Sequence, residues 1–229
     1  MAMALSLGQA PPEATQQPQL ADGERLVRRV IPADNSCLFA AIAHAFHGSA
    51  GRRERADGLR RIVADGILAD PIEYNEATLG QSPPEYVKWI LDPDKWGGGI
   101  ELAILSAHFK AELAAFDVQT QRVDTFGQGR GYTNRACLLY DGVHYDLIVK
   151  QLFDGAPEEL DICVFGASDV DAVMAEAHIL VGEAHRKRAF TDTTSFTLRC
   201  LVCQQGLVGQ EGALAHAKST GHTNFSEYR

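Results

Sequence analysis

Residues 31–47 read Ile-Pro-Ala-Asp-Asn-Ser-Cys-Leu-Phe-Ala-Ala-Ile-Ala-His-Ala-Phe-His, so a polar turn stands directly before a long apolar run. The residues that favour a turn are Pro32, Asp34 and Asn35. Ser36 is a favourable N-cap residue. The run that follows is too continuously apolar for a surface helix, so it predicts a buried helix that begins at Cys37 and ends near Gly48.

The place of Cys37 at a helix start indicates a reactive thiol. Free N–H groups and the positive end of the helix dipole favour the thiolate and lower the cysteine pKa there. The alternative is a buried structural cysteine, which is the commoner case for a single Cys. We interpret Cys37 as a candidate nucleophile, whereas Cys137 and Cys163 lie in apolar runs and are expected to be inert.

The amino-acid composition limits the kinds of protein that this chain can be. The chain has 229 residues, 45% of them hydrophobic and 22% charged, which is typical of a soluble globular protein with a real core. A net charge of −9 and a pI near 5.3 argue against nucleic acid or an anionic membrane as the main partner. Five scattered cysteines favour a reducing compartment, and we expect a cytoplasmic monomer without a signal peptide or membrane span.

Patterns along the chain predict an α+β fold, or an α/β fold with a small central sheet. Helical spacing dominates residues 37–110, and short β-type runs dominate residues 113–165. A further helix is predicted over 169–188. The expected organisation is a disordered leader over 1–24, a catalytic core over 25–152, a strand and helix completing it over 153–190, and a small unit over 191–229.

His144 is the strongest candidate for a catalytic base among the eight histidines. It follows Asp141-Gly142, the strongest hairpin signal in the chain, at the head of a predicted strand. Asp146 lies two residues further on, and the period of a strand places it on the same face, where it suits the role of orienting the imidazole. The alternative is a half-buried strand whose polar residues face water.

Three motifs in this order resemble the ovarian-tumour (OTU) family of deubiquitinating cysteine proteases. They are Asp34-Asn35-Ser36-Cys37-Leu38-Phe39, Trp96-Gly97-Gly98 with Glu101-Leu102, and Gly142-Val143-His144-Tyr145-Asp146. The resemblance extends from about Val27 to Lys150. It implies a papain-like fold with a small central sheet flanked by helices, no catalytic metal, and hydrolysis of isopeptide or thioester bonds at the C-terminus of ubiquitin and polyubiquitin.

The resemblance also implies catalytic roles. Cys37 would attack the carbonyl of the terminal glycine of ubiquitin, and His144 would move the protons. Asp146 would orient His144. Asp34 is treated in the family as a catalytic-site residue, through its side chain or its backbone.

Further residues are implied in binding the oxyanion and the substrate tail. Backbone N–H groups of the turn from Asp34 to Cys37, which contains Asn35 and Ser36, would hold the oxyanion, at about 3–4 kcal/mol per donor. The middle motif, Trp96, Gly97 and Gly98, would help to form a narrow passage for a Gly-Gly tail.

Four residues near the C-terminus have the spacing of a small zinc site. Cys200 and Cys203 are separated by two residues, twelve more lead to His216, and five more lead to His222. This spacing predicts a structural Zn²⁺ ion in a ββα-type C2H2 finger. A Cys200–Cys203 disulfide is the alternative, but it requires an oxidising compartment and leaves both histidines unexplained.

The predicted finger does not suit DNA reading. We expect Leu207 and Leu214 to fill its core and its helix to span about residues 211–219. A single finger contacts about 3 base pairs, the helix carries only Lys218 as a basic residue, and the protein is acidic. A zinc-finger nucleic-acid-binding protein is therefore the remote alternative, and a finger that contacts protein is expected.

An OTU domain followed closely by this finger is similar to the subclass that works beside the hexameric AAA ATPase segregase in protein quality control and endoplasmic-reticulum-associated degradation. That subclass commonly carries an N-terminal ubiquitin-like (UBX-type) domain that docks on the ATPase. Only residues 1–24 precede the predicted catalytic core here, so we expect either an isoform or lineage without that domain, or recruitment of the ATPase through another surface. A non-catalytic ubiquitin-binding adaptor is the alternative of a different class.

Overall fold

The chain is organised around a six-stranded sheet and a separate three-stranded sheet. The structure, a computed structural model, describes residues 20–21, 23–192, 197–222 and 224–227. We call residues 20–192 the large unit and residues 197–227 the C-terminal unit. Most of the predicted leader lies outside the described residues. Its end belongs to the large unit, because Leu20 packs against the core and Glu24 pairs with Lys150 at 3.1 Å.

The large unit runs from one strand through five helices into a series of strands and a last long helix. Its elements are β1 (Arg25–Arg29), α1 (Cys37–His47), α2 (Arg52–Ala69), α3 (Glu76–Leu79), α4 (Pro83–Ile90), α5 (Gly99–Phe109), β2 (Glu112–Asp117), β3 (Val123–Phe126), β4 (Asn134–Tyr140), β5 (Tyr145–Gln151), a 3₁₀ turn (Glu158–Leu160), β6 (Val164–Gly166) and α6 (Val170–Arg186). The predicted bounds of the buried helix are confirmed. Across the described part of the chain, helices long and apolar enough to cross a membrane are absent.

The strand order β1-β5-β4-β2-β3 brings the two ends of the predicted catalytic core together. β5 lies between β1 and β4 and is antiparallel to both, and β6 pairs with the first half of β4. In this register Arg29 at the end of β1 faces Leu147 near the start of β5. The turn that follows β1 and leads into α1 is therefore close to the residues that precede β5.

Alternating residues of the sheet divide the interior into two apolar clusters. On β4, Ala136 and Leu138 belong to the cluster formed with α1, α2 and α5, whereas Cys137 and Leu139 belong to the cluster formed with α6. All four side chains are fully buried, as expected for a central strand covered on both faces. Burial raises the pKa of Cys137 to about 12, in keeping with an inert thiol. The predicted α+β fold, a small sheet flanked by helices, is confirmed.

The C-terminal unit contains the predicted ββα arrangement and one additional strand. Its elements are β7 (Thr197–Cys200), β8 (Gly206–Val208), α7 (Gly209–Thr220) and β9 (Phe225–Glu227), with the strand order β8-β7-β9. Leu207 is buried as predicted, but the prediction for Leu214 is wrong, because this side chain is 52% exposed. Among the described side chains beyond the first turn of α7, those of Ala213 and His216 are buried. Their spacing of three residues defines an inner face that Leu214 does not share.

Candidate active site

Cys37 is the first residue of α1 and is 9% exposed. The residue at the N-cap position is Ser36, but its side chain does not cap the helix. The Ser36 hydroxyl instead accepts a hydrogen bond from Arg60 on α2, at 3.0 Å. The predicted capping role of Ser36 is therefore wrong, since a buried guanidinium uses the oxygen that would have accepted a helix N–H.

The pKa of the Cys37 thiol is raised, because burial disfavours the thiolate more than local N–H groups favour it. The backbone N–H groups of Tyr145 and Leu38 point to the sulfur and lower the pKa. The predicted effect of the helix start is present, but the predicted net lowering is wrong. A thiol in this setting needs a base beside it to become a nucleophile.

His144 lies in a turn, not on the predicted strand. We call residues 141–144, which connect β4 and β5, the histidine turn. The Asp141 carboxylate accepts the backbone N–H of His144 at 2.9 Å and that of Val143 at 3.3 Å. The backbone N–H of Thr191, beyond α6, donates to the Asp141 carbonyl at 2.7 Å. Gly142 has a φ of +104°, and a Cβ there would lie 2.3 Å from the Thr191 oxygen, so the turn requires glycine at that position.

The imidazole of His144 is oriented by two oxygen atoms. Its Nε2 atom lies 3.1 Å from Asp146 Oδ1 and 3.1 Å from the Ile31 carbonyl. Because both partners are acceptors, Nε2 carries the hydrogen and Nδ1 is the basic nitrogen. Tyr145, the next residue, directs its N–H at the Cys37 sulfur. The fold thus brings the histidine turn to the nucleophile, with Nδ1 as the atom available to take the thiol proton.

Asp146 is fully buried and has three partners. Besides His144, it accepts the backbone N–H of Ile31 at 2.7 Å and the Nε of Arg28. The Arg28 pairing supplies the positive charge that a buried carboxylate requires. Sequence reasoning missed Arg28, because only the pairing of β1 with β5 places it beside Asp146.

Asp34 braces the turn before the nucleophile, residues 32–36, which we call the catalytic turn. Its carboxylate accepts the N–H of Ser36 at 2.8 Å, and its own N–H donates to the Pro32 carbonyl at 2.9 Å. The N–H of Cys37 makes a long bond of 3.3 Å to the Asp34 carbonyl. Within the described residues, the N–H of Asn35 has no acceptor. Of the predicted oxyanion donors, that of Asn35 is free, that of Cys37 makes only the long bond to Asp34, and that of Ser36 is used to build the turn.

A groove of about 550 Å³ lies between the catalytic turn and the histidine turn. Its lining residues are Arg28, Val30, Ile31, Pro32, Ala33, Asp34, Asn35, Trp96, Asp141, Val143 and His144. The Trp96 indole N–H donates to the Asn35 side-chain oxygen at 2.7 Å, and Trp96 is 56% exposed. A wall made of Trp96 and Asn35 is suited to contact an extended peptide.

Gly97 and Gly98, predicted to contact the substrate tail, are not among the groove-lining residues. A Cβ on Gly97 would lie 3.1 Å from the Phe39 ring, so glycine allows close packing there. The N–H of Gly98 donates to the Glu101 carboxylate at 2.6 Å and helps to start α5. The middle motif therefore contributes Trp96 to the groove, while its glycines pack against Phe39 and begin α5.

The four predicted metal ligands form one cluster in the C-terminal unit. Their ligand atoms all lie within 4.8 Å of one another. Cys200 Sγ is 3.6 Å from His222 Nδ1, and Cys203 Sγ is 3.5 Å from His216 Nε2. A tetrahedral zinc site has a sulfur–nitrogen edge of about 3.5 Å. These residues fit a Zn²⁺ ion, with His216 binding through Nε2 and His222 through Nδ1.

Family models match both units. The model described as OTU-like cysteine protease matches residues 32–147, and the model described as Ubiquitin thioesterase OTU1, C-terminal C2H2-type zinc finger matches residues 194–228. The first match contains the catalytic turn, the histidine turn and Asp146. The second contains all four candidate metal ligands.

Named relatives are similar over most of the chain. The OVARIAN TUMOR DOMAIN-containing deubiquitinating enzyme 2 of Arabidopsis thaliana is 46% identical over 207 residues, which are 89% of this chain and 98% of the relative. Ubiquitin thioesterase OTU1 of Homo sapiens is 46% identical over 202 residues, 88% of this chain and 57% of the relative. The chain thus spans nearly all of the plant protein and little more than half of the human one.

A solved structure has the same fold. It is described as the structure of an ovarian tumor (OTU) domain in complex with ubiquitin, with a TM-score of 0.63 and 25% identity. The match covers 75% of this chain and 99% of that chain.

Proposed function

Since the chain belongs to the OTU-like cysteine protease family, we propose that it is a thiol-dependent deubiquitinating enzyme that cleaves isopeptide or thioester bonds at the C-terminus of ubiquitin. The observation that carries this proposal is the hydrogen-bond pattern of His144, whose Nε2 donates to buried Asp146 while Nδ1 is left to act as base. The groove beside it is lined by residues of both the catalytic turn and the histidine turn. The named relatives and the solved complex with ubiquitin support the same substrate.

The reaction is acyl transfer in two steps. His144 Nδ1 takes the Cys37 thiol proton, and the sulfur attacks the carbonyl carbon of the terminal glycine. The negative charge that develops on the carbonyl oxygen faces the N–H groups of Asn35 and Cys37. The leaving amine takes the proton from the imidazolium, and the carbon–nitrogen bond breaks to give a thioester on Cys37. Water, deprotonated by His144, then releases ubiquitin and regenerates the thiol.

Reaction with ubiquitin that carries a C-terminal electrophile tests the nucleophile. The wild-type chain should form one adduct, visible by intact mass. Cys37→Ala should form none, and Cys137→Ala, at a fully buried cysteine of β4, is the matched control that should react like wild type. An adduct on Cys37→Ala of undiminished yield, or none on wild type, would refute the proposal.

Turnover separates an enzyme from a ubiquitin-binding adaptor. An adaptor would bind di-ubiquitin and leave every linkage intact, whereas the proposed enzyme releases mono-ubiquitin from at least one linkage. The assay should use a panel of all di-ubiquitin linkages, because the linkage is set by the placement of a second ubiquitin and not by the residues of the groove alone. Comparing the full chain with a chain that ends after Asp192 would show whether the C-terminal unit alters that selection.

The C-terminal unit binds a structural Zn²⁺ ion in this proposal, and catalysis uses no metal. The fit of the four ligand atoms to a tetrahedral site supports it. Inductively coupled plasma mass spectrometry of protein purified without added metal should find one zinc per chain, and Cys203→Ala should lower that ratio. A chain that binds another metal in preference would contradict the assignment.

The setting we propose is the cytoplasm, where a monomer acts on ubiquitylated proteins in quality control and endoplasmic-reticulum-associated degradation beside the AAA ATPase segregase. Free cysteines at all five positions and the acidic charge support a reducing compartment and a protein substrate. Co-purification of the ATPase with the Cys37→Ala chain from cytosol would support the partnership. Enrichment in a membrane or nuclear fraction would contradict the location.

A further inference from the structure

Arg60 on α2 is the largest fully buried side chain among the described residues. A buried guanidinium is costly unless its charge and its N–H groups are satisfied. The described part of the chain offers it no carboxylate within ion-pair distance. Groups other than a salt-bridge partner must therefore stabilise its buried charge.

Backbone carbonyl groups surround the Arg60 side chain in place of an acid. NH1 donates to the Ile90 carbonyl at 2.9 Å, and NH2 lies at hydrogen-bonding distance from the carbonyls of Asn35 (3.1 Å), Pro93 (3.2 Å) and Lys95 (2.7 Å). The guanidinium also lies over the Phe39 ring, 4.2 Å from its centre, in the geometry of a cation–π contact. A single side chain thus joins α2 to the catalytic turn, to α1 and to the loop that leads to Trp96.

The contact with the catalytic turn fixes one peptide from both sides. The Asn35 carbonyl accepts from Arg60, and the N–H of the same peptide, on Ser36, donates to the Asp34 carboxylate at 2.8 Å. A trans peptide is planar, and its C=O and N–H point in opposite directions. Arg60 and Asp34 therefore hold the Asn35–Ser36 peptide between them, and it cannot turn without breaking one of the two bonds.

This peptide adjoins the one that presents the free Asn35 N–H. Rotation of either peptide would move that donor and the side chain of Asn35, which accepts from Trp96 and donates to Asp94. Arg60 also holds the carbonyls of Pro93 and Lys95, on either side of Asp94. The Arg60 guanidinium thus holds both the catalytic turn and the loop around Asp94, which meet at the Asn35 side chain.

We propose that Arg60 is a positioning residue for the acyl-transfer step, which fixes the catalytic turn so that the free N–H of Asn35 meets the developing oxyanion. The inference rests on the proposed function, since the oxyanion arises only if Cys37 attacks a carbonyl. Arg60 touches neither the substrate nor the sulfur in this role. Its effect is on the transition state and not on substrate binding.

Arg60→Lys is the principal test, with Arg61→Lys as the matched control at an exposed neighbour on the same helix. Lysine keeps the charge but has one nitrogen in place of a fork, so it cannot hold all of these oxygens at once. With ubiquitin that carries a C-terminal fluorogenic amide, kcat should fall by about 100-fold or more, as for loss of an oxyanion donor, with KM unchanged. Arg61→Lys should keep the wild-type kcat.

Alkylation of Cys37 by iodoacetamide distinguishes positioning from general damage. Displacement of iodide by the thiolate forms no oxyanion, so the rate and its pH profile should be the same in Arg60→Lys and wild type. Loss of kcat and of alkylation in parallel would overturn the proposal, and so would an unchanged kcat. Wild-type turnover tests the proposed function separately, because the Arg60 test depends only on the ratio of variant to wild type.

A double-mutant cycle with Asp34→Asn tests the shared peptide. If both side chains hold the same peptide, the loss in the double variant should be smaller than the product of the single losses. Strictly multiplicative losses would overturn the shared role. If either substitution prevents folding, as judged by circular dichroism, Ser36→Ala takes its place in the cycle, because it removes only the hydroxyl that Arg60 contacts.

Discussion

In the large unit, two apolar clusters on opposite faces of the sheet exclude water, and they draw on every long element of that unit. In the C-terminal unit, by contrast, two of the four candidate metal ligands, Cys200 and His216, are among the few buried side chains, together with Leu207 and Ala213. An interior this small cannot offset the entropy of ordering its chain. The contrast teaches that apolar burial holds the large unit, whereas the C-terminal unit would depend on the proposed metal ion.

Removing the metal should have the largest effect on stability, and this effect should be confined to the C-terminal unit. The apparent free energy of zinc binding in finger peptides is about 10–16 kcal/mol, so chelation should unfold residues 197–227 and leave the large unit folded. Hydrogen exchange followed by mass spectrometry would measure both in one sample. Loss of protection in β4 and β5 upon chelation would break the comparison and show one integrated core.

Asp146→Asn should give the next largest effect, confined to catalysis in the large unit. An amide cannot fix the imidazole tautomer as the carboxylate does, and kcat should fall by about 10⁴-fold, as in a serine protease triad. The matched control is Asp161→Asn, at a fully buried carboxylate that pairs with Arg29 at 2.5 Å. This control should lower stability and leave kcat intact. A similar loss of kcat in both variants would refute the specific role of Asp146.

A pair of leucine truncations sharpens the contrast between the two interiors. Leu138→Ala in β4 empties a fully buried site and should destabilise the large unit by about 2–5 kcal/mol. Leu214→Ala in α7 removes an exposed side chain and should change the stability of the C-terminal unit by about 0.5 kcal/mol or less. Urea unfolding of the zinc-loaded protein, monitored in each unit by hydrogen exchange, gives both changes in the free energy of unfolding. A large loss for Leu214→Ala would show an apolar contact of that side chain with another part of the protein.

His44 provides the smallest expected effect, through pH. It is 1% exposed, and burial, together with the charges of Arg52 and Arg29, lowers its pKa, against the opposite effect of Glu158 and Asp161. In the unfolded chain His44 is protonated as the pH falls below 6.5, whereas in the folded chain it stays neutral until the pH reaches its lowered pKa. Stability therefore falls as the pH drops through that window, by at most about 1.4 kcal/mol per pH unit.

His44→Gln should remove this slope for the large unit, and His47→Gln, at an exposed histidine of the same helix, should keep it. Denaturant midpoints measured at neutral and mildly acidic pH would give the slope. Because protonation of ligands also releases zinc, both variants need the same metal content as wild type. A slope that persists in His44→Gln would assign the acid sensitivity to another group.

Local sequence patterns were sufficient for the parts of the site that lie on one element. The buried helix from Cys37, the turn at Asp141-Gly142 and the spacing of the metal ligands each depend on neighbours in the chain. The groove and the positions of the oxyanion donors depend on contacts between distant segments. Arg28 reaches Asp146 only because β1 pairs with β5. The hydrophobic periodicity of the sequence does not predict which strands pair.

Arg60 shows why burial of a charge is hard to predict. In the sequence it is one of several arginines in a helix with a charged background, but it shares the helix face of Ala56, Val63 and Ile67. Its partners are backbone carbonyls, which carry no sequence signal. The same limit applies to the thiol of Cys37, since the helix start was visible in the sequence but the degree of burial, which raises its pKa, was not.

The hydrogen bond from Thr191 to Asp141 has a consequence for the order in which a ribosome delivers the chain. The helix that carries the thiol is synthesised early, whereas the residue that secures the histidine turn follows α6 and is among the last of the large unit to emerge. A nascent chain therefore carries Cys37 without a secured histidine turn until Thr191 has been added. We expect the protease to be inert while it is being made, and to gain activity only when translation has passed the large unit.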